Sequence, residues 1–232
     1  MKQTIFVLLI FGNILAANYA YAQSAQGGGE FYVEETFFPV YVKKNDAESY
    51  AGGSVSKNIP TESGLGVDLR TTLGYVAWSQ VLFGVTFNYY SVSTSRPRTP
   101  DYEGLTTKTA KMDFGPTVGY LLGSWRFMFT YFVYATKKYQ ETYTDPTTGV
   151  VDTDNTYDNT NGTGFQLALS YGLNLGSSWT IGPTLVYRDV HYGKQALSTP
   201  TGTPYPATST SGPGTAPIDA QLQPMVTVVY RF

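Results

Sequence analysis

The segment from Ile218 to Phe232 alternates without interruption. Ile218, Ala220, Leu222, Pro224, Val226, Val228, Tyr230 and Phe232 fall on one parity, and Asp219, Gln221, Gln223, Met225, Thr227, Val229 and Arg231 on the other. Side chains of a β-strand repeat every two residues, so the first set forms an apolar face and the second a mixed, polar one. Phe165, Leu167, Leu169 and Tyr171 oppose Gln166, Ala168, Ser170 and Gly172 in the same manner. Segments starting at Leu65, Val81, Lys111, Trp125 and Trp179 repeat it, and a strand over about Glu30 to Val42 precedes them. In that first strand neither parity keeps every apolar residue on one side. A bulge near Glu34-Glu35 resolves the conflict and turns Glu35 to the polar face.

These segments make about eight strands. The connections 76–80, 122–124 and 176–178 are short, whereas 43–62, 92–106, 138–160 and 191–216 are long and polar. Short and long connections alternate, as they do between the periplasmic turns and extracellular loops of membrane barrels. The charges share faces with Gly, Ser and Thr, while the large apolar residues stand opposite. A soluble barrel has an apolar interior and a polar exterior, so this split is inverted. The expected fold is an all-β, transmembrane, antiparallel up-and-down β-barrel with both termini in the periplasm.

Composition agrees. Charged residues are 14% of the chain and the net charge is −2, which gives no electrostatic footprint for nucleic acid. Tyr (20), Phe (13) and Gly (24) are abundant, as suits strands whose outer face meets lipid. The mean hydropathy is −0.17, the average that alternation produces. Cysteine is absent, which excludes disulfides, thiolate metal sites and a lipid anchor on an N-terminal Cys.

The first residues read as a leader. Lys2 precedes an apolar run from Thr4 to Ala16, and Ala20-Tyr21-Ala22 has the A-x-A form of a signal-peptidase site. The run is too short for the roughly 20 residues of a helical span. Residues 1–22 are therefore expected to be a signal peptide and residues 23–232 the outer-membrane β-barrel domain.

The leader, the four long loops, the three tight turns and the terminal Val226, Val228, Tyr230 and Phe232 resemble the small eight-stranded outer-membrane proteins of the OmpA, OmpX and OmpW type. The likeness covers the whole mature chain at the level of architecture. It implies that the terminal aromatic pattern is an assembly signal read by the barrel-assembly machinery. It also implies surroundings of outer-membrane lipid and lipopolysaccharide. With nothing expected beyond Phe232, the chain departs from full-length OmpA-type proteins, which carry a peptidoglycan-binding domain. No motif assigns a subfamily.

The polar faces hold Glu35, Asp68, Arg70, Lys111, Asp113, Arg126, Arg188, Asp219 and Arg231. An eight-stranded barrel is only wide enough for side chains to fill it, and charges confined there must pair. The expected outcome is a salt-bridged lumen that closes the barrel, in a protein with a structural or surface-interaction role and an extracellular ligand that the sequence does not name. The alternative is a narrow OmpW-like channel for small hydrophobic solutes, served by an inward cluster of Tyr90, Met128, Phe132 and Tyr134 in the outer half. A lipid-modifying enzyme ranks third: His191 is the sole histidine, and Asp189-Val190-His191-Tyr192-Gly193 holds no serine to complete a hydrolase. The acidic residues Asp152, Asp154, Asn155 and Asp158 fail the EF-hand pattern, because Thr156 and Tyr157 replace its fifth ligand and glycine. Neither cofactor nor metal is therefore expected. Lys137-Lys138 would sit at the outer rim, and the Pro- and Thr-rich 198–217 would form an exposed loop.

Overall fold

The computed structural model describes residues 29–44, 61–78, 80–99, 104–145, 147–198 and 218–232. The leader, residues 45–60 and most of the Pro-rich segment lie outside the described residues. The strands are β1 (Glu30–Lys44), β2 (Glu62–Ala77), β3 (Val81–Arg96), β4 (Gly104–Leu122), β5 (Trp125–Thr144), β6 (Val151–Tyr171), β7 (Leu173–Asn174), β8 (Trp179–Ser198) and β9 (Ile218–Arg231). Nine strands make eight staves, because β7 continues β6 along the same neighbour, β8. The break falls at Gly172, whose N–H leaves the ladder and donates to the Ser124 carbonyl at 2.7 Å. A side chain there would collide with Thr180 Cγ2, 2.3 Å from an ideal Cβ.

Each stave is antiparallel to the next, and β1 pairs with β9 to close the ring. Closure leaves no free sheet edge, the condition for strands to cross a bilayer. Phe31 and Phe232 exchange backbone hydrogen bonds of 2.9 and 3.2 Å, so both chain ends of the barrel meet at the end that carries the short turns.

The barrel is inside out relative to a soluble protein. Thr117, Asp113 and Lys111 on β4 are buried, and Met112 and Phe114 between them and Val118 next to Thr117 are exposed. Phe127, Phe129 and Tyr131 on β5 and Leu167, Leu169 and Tyr171 on β6 extend the same apolar belt. With a polar interior, a closed antiparallel ring and an apolar belt, the chain is a transmembrane β-barrel of the outer-membrane type.

Three expectations are corrected. First, no bulge interrupts β1: its register against β2 runs unbroken from Glu30↔Val76 to Lys44↔Glu62. Glu34 therefore enters the lumen, fully buried, and Glu35 turns outward, where it accepts a hydrogen bond from Thr71 Oγ1 at 2.8 Å. The premise that apolar residues all face lipid fails here, because part of the lumen is itself apolar: Tyr32 packs inside with Val76, Leu82, Leu121 and Met128.

Second, residues 138–160 are mostly strand. The β5–β6 hairpin extends to Thr144↔Val151, and Asp145 tightens its turn by accepting from the Thr147 and Thr148 N–H groups at 2.9 and 2.5 Å. This hairpin is polar yet its residues pair across the two strands, so polarity there marks distance from lipid, not loss of pairing. By the same reasoning, β3 and β4 leave only residues 97–103 between them.

Third, Tyr134 faces outward. The β5–β6 register slips between Phe132↔Gly164 and Ala135↔Gly162, then slips back at Lys137↔Asn159. Val133 and Tyr134 both point out, which leaves Phe132 and Ala135 inside. On β6 the compensating irregularity is at Asn161, with φ +54°, a left-handed conformation that Asn tolerates better than most residues. Paired bulges thus reverse the parity of both strands while preserving their ladder. They also coincide with the edge of the apolar belt: Phe129 and Tyr131 face out below them, the exposed Lys138 above.

Candidate functional site

Each stave contributes one hydroxyl residue to a girdle in the lumen: Thr36, Thr72, Thr86, Thr117, Thr130, Ser170, Thr184 and Thr227, all buried. Thr72–Thr86 (2.9 Å), Thr86–Thr117 (2.6 Å) and Thr117–Thr130 (2.8 Å) link β2 to β5. On the other arc Thr184 donates to Ser170 at 2.8 Å and contacts Thr227, which meets Thr36 at 2.8 Å. A hydroxyl donates and accepts at once, so each arc largely satisfies itself, while Thr36 also donates to Glu34 at 3.2 Å and accepts from Arg70 at 3.1 Å. The sequence contained its members as the small polar background of each strand. Their common level emerges only when register and shear are known.

Charges fill the space beside the girdle. Arg70 pairs with Glu34, which also receives the Tyr32 hydroxyl and lies 3.9 Å from Arg126 Nε. Arg188 Nε and Nη2 grip the two oxygens of Asp113 at 2.6 and 2.7 Å. Its Nη1 is 3.2 Å from Asp219 Oδ2, which also holds Lys111 Nζ at 2.8 Å. Asp68 hydrogen-bonds Gln223 in the field of Lys111 and Arg188. Four acids (Glu34, Asp68, Asp113, Asp219) and four bases (Arg70, Lys111, Arg126, Arg188) are thus buried together. Arg231 stands apart at the mouth that carries the chain ends and short turns, partly exposed and 3.7 Å from Glu30.

The packing leaves little space. A void of about 10 Å³ lies among Asp68, Arg70, Lys111 and Arg188, and another of about 10 Å³ at the short-turn mouth beside Arg126 and Arg231. Each matches a single water. Above the Lys111–Asp219 pair the lumen widens into an open vestibule of about 490 Å³. The parity reversal on β5 and β6 turns Lys137, Tyr139, Glu141, Tyr157 and Asn159 into it. Tyr139 donates to Glu141 Oε1 at 2.7 Å, and Tyr143 reaches Oε2 at 3.5 Å. Burial, reinforced by the Glu141 hydrogen bond, pushes the Tyr139 phenol well above its ordinary range and keeps it neutral.

The inward apolar cluster does not assemble as expected. Met128 joins the inner apolar group with Leu82 and Leu121. Phe132 packs with Ala135, Val190 and Tyr192 under Arg188, and Tyr90 lies beneath Lys111 Nζ, 4.4 Å from its ring centre. His191 points outward with Nε2 3.1 Å from Asp189 Oδ1. The positions across from it are Thr163 and Ile218. Among the described residues, no three His, Cys, Asp or Glu side chains gather as a metal site. On the outer wall Tyr230 stacks between Trp179 (4.6 Å) and Phe232 (5.2 Å), with Phe31 beyond at 5.9 Å from Phe232.

No protein-family model matches the chain, and no curated protein does. Among solved structures it is similar to Ail, the attachment invasion locus protein of Yersinia pestis, crystallised with the heparin analogue sucrose octasulfate. The TM-score is 0.42 at 10% identity, covering 89% of this chain and all (100%) of that one. It is also similar to Neisserial surface protein A, with a TM-score of 0.38 at 11% identity and the same coverage, 89% and 100%.

Proposed function

We propose that the chain is a closed outer-membrane barrel with a structural or surface-interaction role, not a pore. The observation that carries this reading is the lumen, where paired charges and the hydroxyl girdle among the described residues enclose two water-sized voids of about 10 Å³ each. In this reading residues 1–22 are removed, residues 23–232 form the barrel domain, and the short turns and both termini face the periplasm. The outer mouth then faces the medium. The wall residues Val226, Val228, Tyr230 and Phe232 serve as the signal for the barrel-assembly machinery, and Lys138 above the apolar belt meets lipopolysaccharide phosphates.

A hydrophobic conduit finds less support, because Tyr134 faces lipid and Met128 and Phe132 pack in separate clusters. A lipid hydrolase lacks a serine across from His191. Planar-bilayer recording of the refolded chain tests the closed reading: baseline current is expected, and a steady large conductance refutes it. Solute-uptake assays and lipid A mass spectrometry address the conduit and the enzyme.

A further inference from the structure

We propose that the outer vestibule is a binding site for a short neutral saccharide. This goes beyond the closed-barrel reading, and binding to the isolated barrel does not depend on which way it is inserted.

The paired bulges are the first observation. Without the reversal at Val133-Tyr134 and Asn161, Lys138, Gln140 and Asp158 would point inward; with it, Tyr139, Tyr157 and Asn159 do. Bulges that re-aim side chains concentrate beside functional sites. Here they act on two strands together, and their result is an aromatic wall. Tyr139 and Tyr157 are cross-strand partners with ring centres 6.0 Å apart and planes tilted by 35°. The bond from Tyr139 to Glu141 anchors that ring at its hydroxyl end, leaving ring surface for apolar contact.

The second observation is an unused acceptor. Asn159 is buried, its Nδ2 donates to the Lys137 carbonyl at 3.2 Å, and its Oδ1 has no hydrogen-bond partner. A buried acceptor left unpaired is costly. Asn159 lines the vestibule, and a turn of its amide would bring this acceptor to a ligand hydroxyl.

Charge sets the ligand class. Two cations, Lys111 and Lys137, face two anions, Asp219 and Glu141, and both cations lie within 4 Å of Asp219. Among the residues that line the site the charges balance, two against two. It combines flat aromatic surface, an unpaired acceptor and internally neutralised donors and acceptors, in a volume of about 490 Å³ within the usual range of small-ligand pockets. A pyranose ring presents the complementary pattern, with a C–H face for the tyrosines and equatorial hydroxyls for the polar edge.

The test uses the refolded full barrel in an alkyl amine oxide detergent, which carries no sugar. Glucose, galactose, N-acetylglucosamine, maltose, lactose and diacetylchitobiose are titrated by saturation-transfer NMR and calorimetry. Binding of at least one is expected with a Kd of about 1 mM or tighter. Tyr139→Ala and Tyr157→Ala should each weaken it about five- to tenfold, and Tyr139→Phe and Tyr157→Phe less than about threefold. Heat-dependent gel mobility verifies folding, and the Phe variants retain the rings if either alanine variant misfolds. The proposal is overturned if none of the six sugars binds, if binding survives both alanine replacements, or if glucuronate or a sulfated sugar is preferred in a salt-dependent manner.

Discussion

Arg188 on β8 and Asp113 on β4 are joined across the lumen by a two-pronged contact of 2.6 and 2.7 Å, although β5 and β6 stand between their strands. The pair is a strut spanning the barrel, and Arg188 uses its remaining nitrogen on Asp219. A buried pair contributes little net stability over apolar residues of similar size, but removing one partner strands the other. Asp113→Ala is expected to lower unfolding stability by about 3–5 kcal/mol, read as folded fraction against urea in lipid vesicles. Asp113→Leu combined with Arg188→Met should recover part of that loss. Equal losses in the single and double variants would show that the strut is not an ion pair in function.

The hydroxyl girdle predicts non-additivity. Thr86 bonds Thr72, Thr117 and Thr130 at 2.9, 2.6 and 3.4 Å, so Thr86→Val keeps the shape but leaves three buried hydroxyls short of a partner. A cost of about 1–3 kcal/mol is expected. Converting Thr72, Thr86, Thr117 and Thr130 to Val together removes donors and acceptors as a set. The quadruple variant should therefore cost much less than four single losses added. Strict additivity in the same urea assay would argue that the hydroxyls act separately.

Glu34 and Glu35 allow a test that also marks the limit of sequence reading. Glu34→Gln removes the charge facing Arg70 in a buried site and should cost about 3–5 kcal/mol. Glu35→Gln alters an outward residue and should stay within about 0.5 kcal/mol. The opposite ranking would restore the expected bulge. Alternation places Asp68, Arg70, Lys111, Asp113, Arg126, Arg188 and Asp219 inward because a polar side chain on an otherwise apolar strand has one favourable side. It cannot place Glu34 against Glu35, since both parities of β1 mix apolar and polar residues and the decision falls to Arg70, a long-range partner. It cannot reveal the vestibule either. Past Tyr134 the outer face is polar as well as the inner one, so the contrast that reports parity vanishes where the bulges reverse it.

Asn161 is the residue on which the reversal turns. Its φ of +54° lets β6 take up the extra residue and rejoin β5 at Lys137↔Asn159. Asn161→Gly should be tolerated, because glycine adopts this conformation freely. Asn161→Val places a β-branched side chain there and should cost about 1–2 kcal/mol or move the bulge. If the bulge moves, the strand beyond it flips: Tyr157 and Asn159 leave the vestibule, and Asp158 enters. Cysteine scanning distinguishes the outcomes. In the native background or with Asn161→Gly, Asp158→Cys should react with a bulky maleimide at the barrel's outer surface, and Asn159→Cys should be protected. Asn161→Val should reverse or blur that order. An unchanged labelling pattern with an unchanged urea midpoint would mean that the left-handed residue does not set the register, and that the compensation arises on β5 at Val133-Tyr134 alone.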